Sequence, residues 1–240
     1  QLRALTTTDF GELSTTQLGA LSATQLASLS ATNVSALDAT TVGNLSTTQV
    51  RGLTTTQLAG LSTTDVGELS STQVGALTQT QLGALTPTAL SALDATQVGE
   101  LTSTQVGSLT QTQLAALTAT ALSALDATQV GALSTTQLRG LTTTQVAGLS
   151  TTDIGELSST QIGSLATTQL AALSSTNVSA LDATQVGALT TTQVGGLTST
   201  QLRALSTTDF GDLTTTQVGS LSATQLGALT AHAWLNTAIG

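Results

Sequence analysis

From Leu5 to Ala228 the apolar residues keep one fixed spacing. A leucine opens each unit, four mostly polar residues follow, then one larger apolar residue, then two that are mostly small. The first three units read LTTTDFGE, LSTTQLGA and LSATQLAS, and the same eight-residue sentence runs through 28 copies. Position 1 is Leu and position 4 is Thr in every copy, and position 6 is Val, Leu, Ile or Phe. A strict short period specifies a solenoid or array in which each repeat leans on its neighbours. One continuous helix is excluded, because eight residues advance about 800° and an apolar stripe would drift by about 80° per octad.

The polar positions supply the grammar of a helix start. Position 2 is Ser, Thr or Asp in all copies but Ala166, and these are the residues whose short side-chain oxygen caps an orphan backbone N–H. Position 5 is Gln in 19 copies and Asp in four, three residues after the cap, as a capping box requires. Positions 1 and 6 then form the two ends of a hydrophobic staple. Pro87, the only proline, falls on the first helical position, where its missing N–H costs nothing. The frequent glycines at position 7, such as Gly11, Gly19, Gly43 and Gly67, fit a backbone break and a close approach to a neighbour. The fold expected is an all-α repeat solenoid with one short capped helical turn per octad. The rival is a β-solenoid, since Thr and Val favour strands. Against it, the apolar spacings are five and three, both odd, and a straight strand would send those side chains to opposite faces.

A longer rhythm overlies the octad. Counting octads from Leu5, all 13 acidic residues fall in octads 1, 5, 8, 12, 16, 19, 23 and 26. Near-identical stretches recur at related intervals: LSTTDVGELSSTQVG at Leu61 returns as LSTTDIGELSSTQIG at Leu149. Both point to about 3.6 octads per superhelical turn, with the acidic octads stacked into a stripe. The repeat predicts one domain over 1–228 and a C-terminal capping segment over 229–240, in which Trp234 covers the last turn.

Composition narrows the function. Aromatics are confined to Phe10, Phe210 and Trp234, so the core is built of Leu and Val. The net charge is −9 with no lysine, which disfavours nucleic acid and anionic membrane surfaces. No apolar run reaches the roughly 18 residues that span a bilayer, so membrane insertion is not expected. With no cysteine, disulfides and thiolate metal sites do not arise. No secretory leader and no initiator Met stand in the sequence, which fits a mature chain or an excised segment. Chemistry is sparse. His232 is the only histidine, and the many hydroxyls lack a positioned base, so catalysis is not expected.

Two binding surfaces remain. The acidic candidates for a metal are Asp9, Glu12, Asp65, Glu68, Asp153, Glu156, Asp209 and Asp212. Their oxygens suit Ca²⁺, but carboxylates one turn apart, about 10 Å at helix-packing distances, are too far apart to share an ion. Asp38, Asp94, Asp126 and Asp182 read as caps, and Asp9, Asp65, Asp153 and Asp209 as first-turn carboxylates that capping and the helix dipole favour. The invariant position-4 threonines form ladders that serve helix-turn polarity, hydroxyl pairing inside tight turns, or recognition of an ordered surface such as ice or a glycan. Solenoid ends also stack, so self-association end-to-end or laterally is expected.

The octad L-[ST]-x-T-Q-[VL]-G-A resembles the Thr- and Gln-rich octapeptide tracts of very large bacterial surface and secreted adhesin-like proteins. The resemblance covers nearly the whole chain and carries no catalytic residues. It implies an extracellular or cell-surface location and a structural or adhesive role, as a stalk or filament subunit.

Overall fold

A computed structural model describes residues 6–230. Within them, 28 short helices follow one another from Thr7–Gly11 to Ala223–Thr230, one to each octad, and no strand occurs among the described residues. Each helix starts where the sequence places its cap. Ser46 is extended (φ −65°, ψ 155°) ahead of the helix Thr47–Gly52. The Gln49 N–H donates to Ser46 Oγ at 3.2 Å, and Gln49 Oε1 accepts from the Ser46 N–H at 2.8 Å. Pro87 stands at the start of Pro87–Leu90, behind the Thr86 cap.

The breaks differ from expectation in one respect. No glycine has a positive φ among the described residues, so position 7 is not a left-handed helix stop. The leucine at position 1 makes the break instead. Leu77 is extended (φ −61°, ψ 139°) directly after Ser71–Ala76, and the next cap, Thr78, is extended again. Two consecutive extended residues end one helix and begin the next without any unusual backbone conformation. The close-approach role of glycine holds at particular sites. A Cβ built on Gly75 would stand 3.2 Å from the Glu100 carbonyl oxygen, and one on Gly43 would stand 2.8 Å from that of Glu68.

The chain divides into two compact units, Gln1–Leu125 and Asp126–Gly240. In each, helices three apart in sequence pack together. Ala23–Ala27 meets Thr47–Gly52 in the first unit, and Ser175–Ser179 meets Ser199–Ala204 in the second. Positions 1 and 6 supply the core: Val50, Leu58 and Val186 are fully buried and Leu53 nearly so. A five-residue helix has no stability of its own in water. Burying its Leu and Val contributes about 1.5–3 kcal/mol per side chain, and that gain exists only against another turn. The last described helix, Ala223–Thr230, runs on through Leu229. The capping segment proper, with His232 and Trp234, lies outside the described residues.

Candidate functional site

The side chain with most to do is the position-5 glutamine. It is buried: Gln57 is 1 % exposed and Gln185 is 2 %. Its oxygen closes the capping box of its own helix. Its amide nitrogen reaches the preceding turn, where it clamps the joint between two earlier octads. Gln81 Nε2 donates to the carbonyls of Val50, Arg51 and Leu53 at 3.2, 2.9 and 2.8 Å. Gln193 grips Ile162, Gly163 and Leu165 in the same way at 3.2, 3.3 and 2.8 Å. The acceptors lie 31, 30 and 28 residues back, between three and a half and four octads. That spacing matches the turn of about 3.6 octads read from the acidic rhythm.

Sequence reasoning assigned Gln to the box and missed the clamp. The missing signal was present: position 5 is never Glu. A capping box alone accepts Glu or Gln, whereas a clamp onto carbonyls demands the amide's donors.

At three joints whose facing position 5 cannot donate, the cap changes too, whereas Leu13 below Thr41 and Leu61 below Ala89 keep serine caps. By the 28-residue register, Leu37 faces Asp65, Leu93 faces Ala121 and Leu181 faces Asp209, and no side chain clamps these three carbonyls. Each of the three is followed by an aspartate cap: Asp38, Asp94 or Asp182. Those caps are tighter than the hydroxyl ones. Asp38 Oδ1 accepts from the Thr41 N–H at 2.7 Å and Asp94 Oδ1 from the Gln97 N–H at 2.8 Å, against 3.2 Å at Ser70. A charge-assisted bond inside the octad thus accompanies the lost bond between turns.

The predicted acidic candidates divide into two kinds. Asp9, Asp65, Asp153 and Asp209 serve their own capping boxes. Asp65 Oδ2 accepts from the N–H and Oγ of Ser62, both at 2.8 Å, and Asp153 Oδ2 from those of Ser150, both at 2.7 Å. Asp209 Oδ2 accepts from the Ser206 N–H at 2.8 Å. Asp9 takes the Oγ1–H and N–H of Thr6, and these bonds hold its carboxyl below the usual aspartate range. Glu12, Glu68, Glu156 and Asp212 stand instead at helix C-termini, where the backbone dipole does not favour an anion. The first three are exposed, whereas Asp212 is half-buried, and its Oδ2 is shut from water without a hydrogen-bond partner. Among the described residues no three His, Asp or Glu side chains come together in a way that could hold a metal ion.

The position-4 threonines are exposed in all 28 octads. Hydroxyl pairing inside tight turns is therefore not their role, and no hydrogen bond of their hydroxyls occurs among the described residues. A shallow groove of about 300 Å³ in the first unit is lined by Arg51, Leu77, Thr78, Gln79, Thr102 and Thr104, among others. Gln79 Nε2 crosses it to the Thr104 carbonyl at 3.1 Å. No helix among the described residues is long and apolar enough to cross a membrane.

These features define an all-α repeat solenoid, its caps and packing repeated from octad to octad among the described residues. In line with that class, a family model described as the ALTTAQ repeat matches residues 42–79, 57–87, 135–167 and 164–199. The chain is a repeat protein similar to that family over a little under half its length. The letters of that description follow the octad from position 8 to position 5. This chain reads ALTTTQ at Ala188–Gln193, with Thr at position 4 where the fifth letter is A. No curated protein matches the chain.

Proposed function

We propose that this chain is an extracellular structural and adhesive repeat segment, a stalk or filament subunit that acts without catalysis. In this reading it associates with copies of itself, end-to-end or laterally. The observation that carries the proposal is the double use of position 5. Leu, the cap, Gln and the apolar position 6 are all spent on holding one octad to its own helix and to the turn before. A protein that repeats a self-supporting unit so uniformly invests in extent rather than in a reaction centre. The resemblance to surface and secreted tracts supports the location. Electron microscopy of the purified chain tests the role. Ordered fibres or bundles that grow with concentration are expected, whereas particles that stay dispersed at every concentration would refute it.

One observation favours a second reading, a binding face. The position-4 hydroxyls are exposed, unpaired within the fold and invariant across the repeats, although exposed substitutions usually change stability by no more than about 0.5 kcal/mol. Their regular array suits a hydroxyl-rich or ordered surface, such as a glycan or ice. Glycan-array binding and ice-recrystallisation assays, repeated on a variant with several of these threonines changed to valine, separate the readings. Activity lost from a variant that melts normally supports the face, and inactivity of the parent chain removes it.

A further inference from the structure

The clamps are not spread evenly around the coil. In the first unit Gln49, Gln57, Gln73, Gln81, Gln97, Gln105 and Gln113 all grip the preceding turn. Thr41, Asp65, Ala89 and Ala121 do not. These four stand three, three and four octads apart, which brackets the clamp's own reach of 28 to 31 residues. They therefore fall in one broad sector of the unit, which also holds the clamped Gln97. In the second unit Asn177 keeps a single bond, to the Leu149 carbonyl at 2.7 Å, and Asp209 has none to an earlier turn.

We propose that this sector is a seam along which successive turns of each unit separate while their helices stay formed, the Gln-clamped arc serving as the hinge. Three features combine there. The inter-turn hydrogen bonds are missing. Five of the seven carboxylates of the first unit, Asp38, Asp65, Glu68, Asp94 and Glu100, stand in the same or adjoining octads, while Asp9 and Glu12 do not, and like charges favour separation. The aspartate caps at Asp38, Asp94 and Asp182 bind inside their own octads, so a helix keeps its start when the turn beside it moves away. At Leu37 and Leu93 the loss of contact between turns is joined to reinforcement within the octad, as a seam needs. The inference stands apart from the proposed function, since it concerns how the coil opens whatever the coil serves.

Hydrogen exchange on the full chain, resolved to single residues, tests it. The amides of Leu37, Leu61 and Leu93 close the joints beneath the seam, and those of Leu53, Leu77 and Leu85 close clamped joints. After correction for intrinsic rates, the seam amides are expected to exchange about fivefold faster or more, the effect of one to two missing hydrogen bonds. Asp65→Gln supplies the absent donor. It is expected to slow Leu37 to the clamped rate and to leave Leu93 unchanged, and Ala89→Gln does the same for Leu61. Equal protection of the two groups would overturn the proposal. So would an Asp65→Gln chain, folded by circular dichroism, in which Leu37 exchanges as before.

Discussion

Gln81→Glu is the sharpest single perturbation of this fold, because it replaces one NH₂ group by one oxygen. The acceptor that closes the Gln81 capping box survives. The donor to Val50, Arg51 and Leu53, at 3.2, 2.9 and 2.8 Å, becomes an acceptor pointed at three carbonyls. Gln81 is 5 % exposed, so water does little to relieve the clash. The amide carries two hydrogens, so about two net hydrogen bonds are lost, roughly 1–3 kcal/mol. A buried acceptor left facing acceptors adds about 1–3 kcal/mol more. The expected cost is about 2–6 kcal/mol near neutral pH, larger than for Gln81→Ala, which loses the bonds but buries no opposed oxygen. Thermal and urea unfolding followed by circular dichroism at 222 nm gives the order, with midpoints compared rather than a single free energy, since repeat arrays need not unfold in one step. The order parent, then Ala, then Glu is expected. Burial among carbonyls raises the new carboxyl's pKa in the folded state. The Glu variant is therefore at its best below the ordinary value of about 4.3, where a protonated oxygen donates, and it loses stability as pH rises through the raised folded value. If Glu equals or exceeds Gln at neutral pH, position 5 acts through the box alone and the clamp argument fails.

Other consequences follow from the same geometry. Gly83→Ala meets nothing within 4 Å and gains about 0.5–1 kcal/mol from helix propensity. Gly75→Ala forfeits that gain against the Glu100 carbonyl, and Gly196→Ala, driven into the Thr167 methyl, destabilises. Melting temperatures of the three variants give the ranking. The hydrogen bonds from Thr6 depress the Asp9 pKa, so the interaction is present above the unfolded value and is lost as pH falls through the lower, folded one. NMR titration is expected to place Asp9 below an unbonded aspartate, and Thr6→Ala is expected to return it toward the ordinary range. An Asp9 that titrates identically in both chains would rule out the box at that octad.

Much of this architecture was legible in the sequence, because its determinants are local. Ser46 and Gln49 announce a cap three residues apart, Pro87 directly follows its cap Thr86, and the odd apolar spacings argue against strands. The turn of about 3.6 octads was readable from the spacing of the acidic octads, and the reach of the glutamines matches it. The clamp was not read, since the partner of Gln81 lies 28 to 31 residues away and a box explains the same residue. The position-7 glycines were read as helix stops because glycine so often plays that part. Here the extended leucine does the work, and at Gly75 the absent Cβ makes room for the Glu100 backbone. Asp9, Asp65, Asp153 and Asp209 were legible as first-turn carboxylates of their own capping boxes, and each one's cap claims its oxygen.

The central claim is that within each unit the glutamine-bearing octads rest on a joint about 29 residues earlier, and an engineered disulfide tests it most directly. The chain has no cysteine to interfere. A Cβ built on Gly60 lies 3.7 Å from the Ala31 Cβ, close to the separation a disulfide prefers. Mild oxidation of the double variant Ala31→Cys, Gly60→Cys is expected to close an intramolecular bond rapidly and completely, while Ala23→Cys with Gly60→Cys, displaced by one octad, stays reduced. Equal closure of the two pairs, or preference for the displaced one, would contradict the account.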